Sequence, residues 1–245
     1  MHVLALDTVD GPLSVALIDT ATGTVATRHE APERGPAERL PGFVAEALAA
    51  AGWCAGDVTR IAVTTGPGGF TGVRVGVAFA RGFALVRGIA AVGVPSLVAI
   101  AASLRQNAGH RPLIVALDDR RGGFYVQGFA QDGTPMGPPT AADAAELAAA
   151  LPDGVAFGGP AAAALAAAVG GDHPVVAGGI DPVALGWLGA AAAPDGPPPE
   201  PIYLRPADAT PPTPSGVVAA AVPPRPEMPD RDATVADAGR RGSNQ

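Results

Sequence analysis

Short apolar runs bounded by glycine, proline and aspartate alternate along the chain with stretches whose apolar positions recur every third or fourth residue. That pattern predicts strands alternating with helices. His2–Asp7 (HVLALD), Leu13–Asp19 (LSVALID) and Thr24–Glu30 predict an antiparallel meander, and Pro36 opens a helix. Within that helix Leu40, Phe43, Val44, Ala47, Leu48 and Ala51 share one face, and Gly52 ends it. A βαβ unit follows: strand 61–65, glycine turn 66–69, a helix from Thr71 to Arg87 and strand 90–94. Thr71 suits an N-cap and Gly88 a left-handed C-terminal residue. A further helix at 96–105 completes a first lobe, 1–106, of the order β-β-β-α-β-α-β-α.

The pattern restarts after Pro112. Leu113–Asp118 and Phe124–Phe129 are strands, a helix capped by Thr140 or Asp143 runs to Leu151, and Val155–Phe157 is a strand. Gly158 and Gly159, an alanine-rich helix to Val169, a strand at 175–177 and a helix from Pro182 to Ala193 complete a reduced second lobe, 107–205. Leu4–Asp7 (LALD) aligns with Val115–Asp118 (VALD), and Gly11 with Gly122 at the same offset, which points to internal duplication. Nearly half of the 27 prolines lie from Pro194 onward. Pro201–Arg205 (PIYLR) interrupts that bias with side chains worth burying, and 206–245 is expected to be a disordered tail.

The Thr71–Arg87 helix carries apolar or small residues around most of its circumference. Gly72, Gly76, Ala80 and Ala84 form a smooth ridge, Val73 and Val77 add bulk, and Arg74 and Arg81 interrupt the cylinder. A helix on a sheet surface needs only one apolar stripe. The ridge therefore predicts a second helix in close approach, in this chain or in a partner. Joined to Leu40, Phe43, Val44 and Ala47, it gives an expected four-helix interface with a partner. The turn GPGG lacks the lysine of a P-loop and the spacing of a dinucleotide fingerprint. Its glycines either make a tight connection or cradle an anion with free amides at the helix start.

Composition narrows the chemistry. Net charge is −7, with 16 basic residues, all arginine, scattered without a stripe to track a phosphate backbone. Direct RNA binding and lysine catalysis are thereby excluded from the expectation. Cys54 is the single cysteine and the four histidines lie far apart in sequence, so no metal ligand set is expected. No G-x-S-x-G elbow occurs. The apolar runs fall short of a membrane span and the N-terminus starts with a strand, so the expected compartment is the cytoplasm.

Two β-β-β-α lobes, each closing its first strand with an aspartate, Asp7 and Asp118, resemble the actin, sugar-kinase and Hsp70 superfamily with its ribonuclease H-like lobes. The segments ALDTVDGPLSVALID, AERLPGFVAEALAAAGW, IAVTTGPGGFTGVRVGVAFARGFAL, AVGVPSLVAIA, LDDRRGGFYVQGF and PIYLR occur in the order of the TsaB family. The resemblance covers residues 1–205, departing where the family has a histidine before Glu38-Arg39-Leu40. It implies a non-catalytic subunit that pairs with TsaD in placing threonylcarbamoyl on adenosine 37 of ANN-decoding tRNAs, with the TsaE ATPase joining and tRNA reached only through the complex. It also implies no firmly bound cofactor, and leaves open both homodimerisation of the isolated chain through the same helices and ATP or ADP at the partner interface. By position Ser96 and Ile100 stand where TsaD has a metal-binding histidine pair. The alternative is a small ATP-binding phosphotransferase or hydrolase that uses Asp7, Gly68, Gly69, Asp118, Gly158 and Gly159 for phosphate. Against it, the two aspartates equally suit the capping of the turns that follow them.

Overall fold

The computed structural model describes residues 1–9, 11–31, 36–109, 111–152 and 154–205. The N-terminal meander forms β1 (His2–Asp7), β2 (Leu13–Asp19) and β3 (Thr24–Glu30), and the βαβ unit adds β4 (Arg60–Thr64) and β5 (Ala90–Val94). They make one sheet of order β3-β2-β1-β4-β5, with β1 antiparallel to β2 and parallel to β4. The second sheet contains β6 (Leu113–Asp118), β7 (Phe124–Phe129), β8 (Thr140–Ala142), β9 (Ala156–Gly158) and β10 (Val175–Val176) in the order β10-β9-β6-β7-β8. Placing β6 on β1 makes the two orders and pairing senses coincide, and Gly11 and Gly122 share positive φ. The duplication read from LALD and VALD thus extends through the whole sheet. The tail 206–245 lies outside the described residues.

Among the described residues six α-helices cover the sheets: α1 (Pro36–Ala50), α2 (Phe70–Arg87), α3 (Ser96–Leu104), α4 (Ala144–Ala150), α5 (Ala162–Val169) and α6 (Pro182–Ala191). Two local expectations need correction. Helix α2 starts at Phe70 with Gly69 as its N-cap and no side-chain cap, so Thr71 lies inside it, whereas Gly88 is left-handed as expected and donates to Ala84 O. Thr140 is in a strand, β8, and not a helix cap. The cap of α4 is Asp143, whose carboxylate accepts from Glu146 N at 2.8 Å while Glu146 returns a bond to Asp143 N at 3.0 Å.

The strands of the first sheet present two unlike faces because side chains alternate. Leu4, Leu6, Leu13, Val15, Leu17, Ile61 and Val63 face α1 and α2, where they meet Leu40, Phe43, Val44, Ala47 and Leu48. Burying each large side chain there contributes about 1.5–3 kcal/mol relative to exposure. Val3, Ala5, Ala16, Ile18 and Ala62 face the other way, toward Leu185 of α6. That face is mostly small, and α6 approaches it closely because it presents glycine: a Cβ on Gly186 would lie 2.3 Å from Ile18 Cδ1, and one on Gly189 2.3 Å from Ala62 Cβ. Arg60, buried in β4, reaches the end of α6, where Nη1 donates to Gly189 O, Ala190 O and Ala192 O at 3.0, 3.0 and 2.8 Å.

The helices after β5 and β10 cross between the halves. Helix α3 buries Leu97, Ile100, Ala101 and Leu104 against Leu113, Val115, Leu117 and Phe129 of the second sheet. Helix α6 packs on the first sheet, and the two helices touch each other. Residues 1–106 and 107–205 therefore separate the strands of the two sheets but not their helices, and α6 completes the first half's core.

Helix α1 is also held to the edge strand β3 by charge. Arg39 bridges Glu30 and Glu46, Nη2 lying 2.7 Å from Glu30 Oε2 and 2.8 Å from Glu46 Oε2, and Arg28 reaches Glu46 Oε2 at 2.7 Å. The Arg39 hydrogen bonds hold both glutamates below their ordinary pKa. Depressed carboxylate values mean that the contribution is fully present above the unfolded glutamate value of about 4.3 and is lost as pH falls through the lower folded values. Arg39→Gln is thus expected to melt below wild type at neutral pH and low salt. The gap should close on acidification and shrink at high salt because the groups are solvent-facing. Thermal melts of both proteins across pH check this, and a gap independent of pH would contradict it.

Candidate functional site

The carboxylates that a phosphotransferase would require are engaged in turns. Asp7 Oδ1 accepts from Val9 N at 3.1 Å and from Thr64 Oγ1 at 2.7 Å, and the side chain is buried. Asp118 is exposed and accepts from Arg120 N at 2.6 Å. The neighbouring Asp119, which sequence reasoning passed over, is the buried one. Its Oδ1 accepts from Arg121 N and Gly123 N at 2.8 and 2.9 Å, and its Oδ2 lies 2.7 Å from Arg205 Nη2.

The glycine turns are filled from within. A Cβ on Gly68 would sit 2.1 Å from Val9 Cγ1, one on Gly69 2.6 Å from Val9 O, and Gly69 N already donates to Val9 O at 3.0 Å. Gly158 is packed against Leu113 and Leu104, while Gly159 N donates to Val176 O at 3.1 Å. These close approaches, more than any cradle, account for the glycines. Ser96 trades bonds with Gly66: Gly66 N donates to Ser96 Oγ at 3.1 Å and Ser96 N to Gly66 O at 2.8 Å. Ile100 is buried in the core beneath the second sheet. Among the described residues no three His, Cys, Asp or Glu side chains gather into a group able to hold a metal ion.

The ridge of α2 faces inward, which corrects the expected interface. Gly72, Val73, Gly76, Val77, Ala80 and Ala84 are all buried. A Cβ on Gly72 would lie 1.9 Å from Thr8 O, and one on Gly76 2.4 Å from Thr8 Oγ1 and 3.3 Å from Val63 Cγ2. What approaches Gly72 and Gly76 closely is the turn after β1, while Ala80 and Ala84 join the core shared with α1. Thr8 is fastened there by its own bond to Gly72 O at 2.7 Å. Leu40, Phe43, Val44 and Ala47 are likewise core residues of α1. Of the residues expected to meet a partner, Arg74 and Arg81 are the exposed ones.

The same two helices nevertheless present a smooth outer face. On α2 it runs through Arg74, Ala78, Arg81, Gly82, Leu85 and Val86, with Leu85 and Val86 84% and 85% exposed. On α1 it runs through Ala37, Pro41, Gly42, Ala45 and Ala49. Half-buried Phe79 and Phe83 of α2 pack on the core that includes α1. Pro41 lacks the N–H that would bond Ala37 O, which leaves that carbonyl outside the helical ladder. A Cβ on Gly82 meets nothing within 4 Å. A cleft of about 550 Å³, lined by Arg81, Gly82, Leu85, Gly88, Pro194 and Pro198, continues the face at the end of α2.

At the other end of α2 lies the PIYLR segment. Ile202 N donates to Thr65 O at 2.7 Å and Arg205 pairs with Asp119, so the segment spans from the first sheet to the β6–β7 turn. Its expected burial holds only in part, since Tyr203 is 47% exposed beside Phe70.

Two five-stranded sheets of matching order, with the helix after each fifth strand packed between them, define an α/β protein of the actin-like ATPase type. A crystal structure from Pseudomonas aeruginosa, described as an uncharacterized protein with similarity to the peptidase YeaZ, superimposes with a TM-score of 0.70 at 26% identity over 83% of this chain and 99% of that one. Residues 30–178 match the family described as TsaD, tRNA N6-adenosine threonylcarbamoyltransferase. The chain belongs to that family, and TsaB proteins are among the relatives it resembles. An Escherichia coli TsaB, described as a tRNA threonylcarbamoyladenosine biosynthesis protein, is 33% identical over 132 residues, which is 54% of this chain and 56% of that one. A Mycobacterium tuberculosis protein described as uncharacterized is 34% identical over 216 residues, 81% of this chain and 94% of that one. The chain spans about half the length of the curated TsaB relatives it matches, 56% in Escherichia coli and 52% in Haemophilus influenzae.

Proposed function

We propose that the chain is a non-catalytic partner of a TsaD-family protein in forming the threonylcarbamoyl group on adenosine 37 of ANN-decoding tRNAs. The observation that carries this is the outer face of α1 and α2, two adjacent helices whose solvent side sets Ala37, Pro41, Gly42, Ala45, Ala49, Ala78 and Gly82 beside Leu85 and Val86, with Arg74 and Arg81 among them. Exposed apolar surface of this kind marks a docking site, and small residues let a partner's helices approach closely. The engagement of Asp7 and the filled glycine turns favour this reading over the phosphotransferase alternative. In the proposal a TsaE-type ATPase joins the assembly, any ATP or ADP is held at the partner interface, and tRNA is met only by the complex. The isolated chain would pair with itself through the same helices.

Gly82→Leu tests the face selectively. The site has room for the side chain and leucine favours helix over glycine by up to about 1 kcal/mol, so the melting temperature should hold or rise. Against a closely packed partner helix the added bulk costs roughly 1–3 kcal/mol, about a ten- to hundredfold loss of affinity near the middle of that range. Calorimetric titration with the TsaD-family protein of the same organism measures it. Undiminished binding by Gly82→Leu would remove the face from the proposal, and ATP turnover by the chain alone that disappears in Asp7→Asn would replace the proposal with the enzyme reading.

A further inference from the structure

Resting on the partner-subunit reading, we propose that Arg74, held between Phe70 and Tyr203, is a preformed receptor for an aspartate or glutamate side chain of the TsaD-family partner. The guanidinium carbon lies 3.7 Å from the centre of the Phe70 ring and 5.6 Å from that of Tyr203, and Nε donates to Tyr203 Oη at 2.8 Å. The two rings are 5.4 Å apart, and each is nearly half exposed. With Nε engaged and the guanidinium stacked on Phe70, the remaining donors form the end-on fork of Nη1 and Nη2. Among the described residues neither nitrogen has a partner, whereas Arg39 faces carboxylates and Arg60 and Arg87 face carbonyls. A planar fork with two parallel donors matches a carboxylate bidentately.

The setting makes this fork more than a solvated arginine. Tyr203 is not free to drift, because Ile202 is bonded to Thr65 on one side and Arg205 to the buried Asp119 on the other. The turn holding Asp119 is itself shaped by its bonds to Arg121 N and Gly123 N. Side-chain freedom that association would otherwise remove is therefore already spent in the unbound chain. The fork also stands at the head of the row Arg74, Ala78, Gly82, Leu85 on the outer face of α2. Tyrosine, arginine and an exposed ring beside a smooth apolar row are the composition of protein–protein hot spots. A phosphate backbone instead calls for a run of cations, and a chain of net charge −7 with scattered arginines does not supply one. The shared chemistry of carboxylate and phosphate is thus assigned to a protein carboxylate.

The test is titration of the full chain with the TsaD-family protein of its own organism, at low and high salt, for wild type, Arg74→Met, Arg74→Lys and Tyr203→Phe. Arg74→Met is expected to weaken binding about ten- to hundredfold and to flatten its salt dependence. Arg74→Lys should recover the salt dependence but only part of the affinity, and Tyr203→Phe should lose a few-fold with the salt dependence intact. Wild-type affinity in Arg74→Met, with the wild-type chain binding, overturns the receptor and leaves the partner reading standing. Failure of the wild-type chain to bind overturns both. Should Arg74→Met melt early, Arg74→Lys carries the comparison, and lysine binding as tightly as arginine overturns the fork. A variant that keeps the partner but weakens tRNA binding by the complex overturns the carboxylate in favour of phosphate.

Discussion

Gly72→Ala is expected to lower the melting temperature by about 10 °C, a large effect for one methyl group. The added Cβ would sit 1.9 Å from Thr8 O, far inside any contact that real atoms make, and 3.0 Å from the Thr8 carbonyl carbon. The obstacle is backbone, and that backbone is held: Thr8 Oγ1 donates to Gly72 O, and Val9 N is anchored to Asp7. Neither side can yield without breaking a buried hydrogen bond or lifting α2 from Val63. Overpacking costs typically 1–3 kcal/mol and more where backbone must move, so about 3 kcal/mol is expected, and each kcal/mol shifts a chain of this size by about 2–4 °C. Gly82→Ala is the matched control ten residues along the same helix. It meets open space, and removing a helical glycine should stabilise by about 0.5–1 kcal/mol. Thermal melts of the two variants should move in opposite directions, and equal melting would show that the turn after β1 yields freely.

That contrast also shows what the sequence could and could not tell. Periodicity located the strands and helices because it reports burial, and within the small ridge Gly72 and Gly76 do meet a close approach, made by a turn in place of the expected helix. What approached was not legible. A stripe of small residues says that something comes near, but Thr8 reaches Gly72 from sixty-four residues away in sequence. The site expectation failed for the same reason: apolar residues of α1 and α2 were assigned to a partner when a sheet face of leucine, isoleucine and valine needed them. Strand alternation held an unused clue. Ala5, Ala16 and Ala62 share the opposite face of that sheet, and so small a face calls for a helix with glycine on its inner side. Gly186 and Gly189 on α6 meet that need, although α6 lies in the duplicated half. Asp119 escaped notice because alignment with Asp7 singled out Asp118, and only the conformation of the turn shows which carboxylate goes inward. Tyr203 and Arg74, 129 residues apart, had no shared signal at all.

Arg60→Met is expected to cost about 3 kcal/mol, although it keeps the apolar stem and removes a buried charge. Replacing a buried ion pair by apolar groups is often neutral. Here, however, the partners are backbone carbonyls of Gly189, Ala190 and Ala192, which remain after the substitution. The last carbonyls of a helix have no intrahelical donor, and a cation beside them is favoured further by the helix dipole. Losing one charged donor therefore leaves several acceptors wanting, and hydrogen bonds to charged groups contribute about 1.5–3 kcal/mol. The Arg60 and Gly189 contacts pin the end of α6 across β4, and the chain from there runs through Pro194 and Pro199 to Tyr203. Arg60→Met should accordingly lower the melting temperature by about 10 °C and speed amide exchange in the last turn of α6 before that in α2. Arg60→Lys, with one compact donor head in place of the fork, should fall between wild type and Met. An unchanged melting temperature in Arg60→Met, or exchange that rises equally in α2 and α6, would mean that water satisfies these carbonyls and that the guanidinium does not hold the helix.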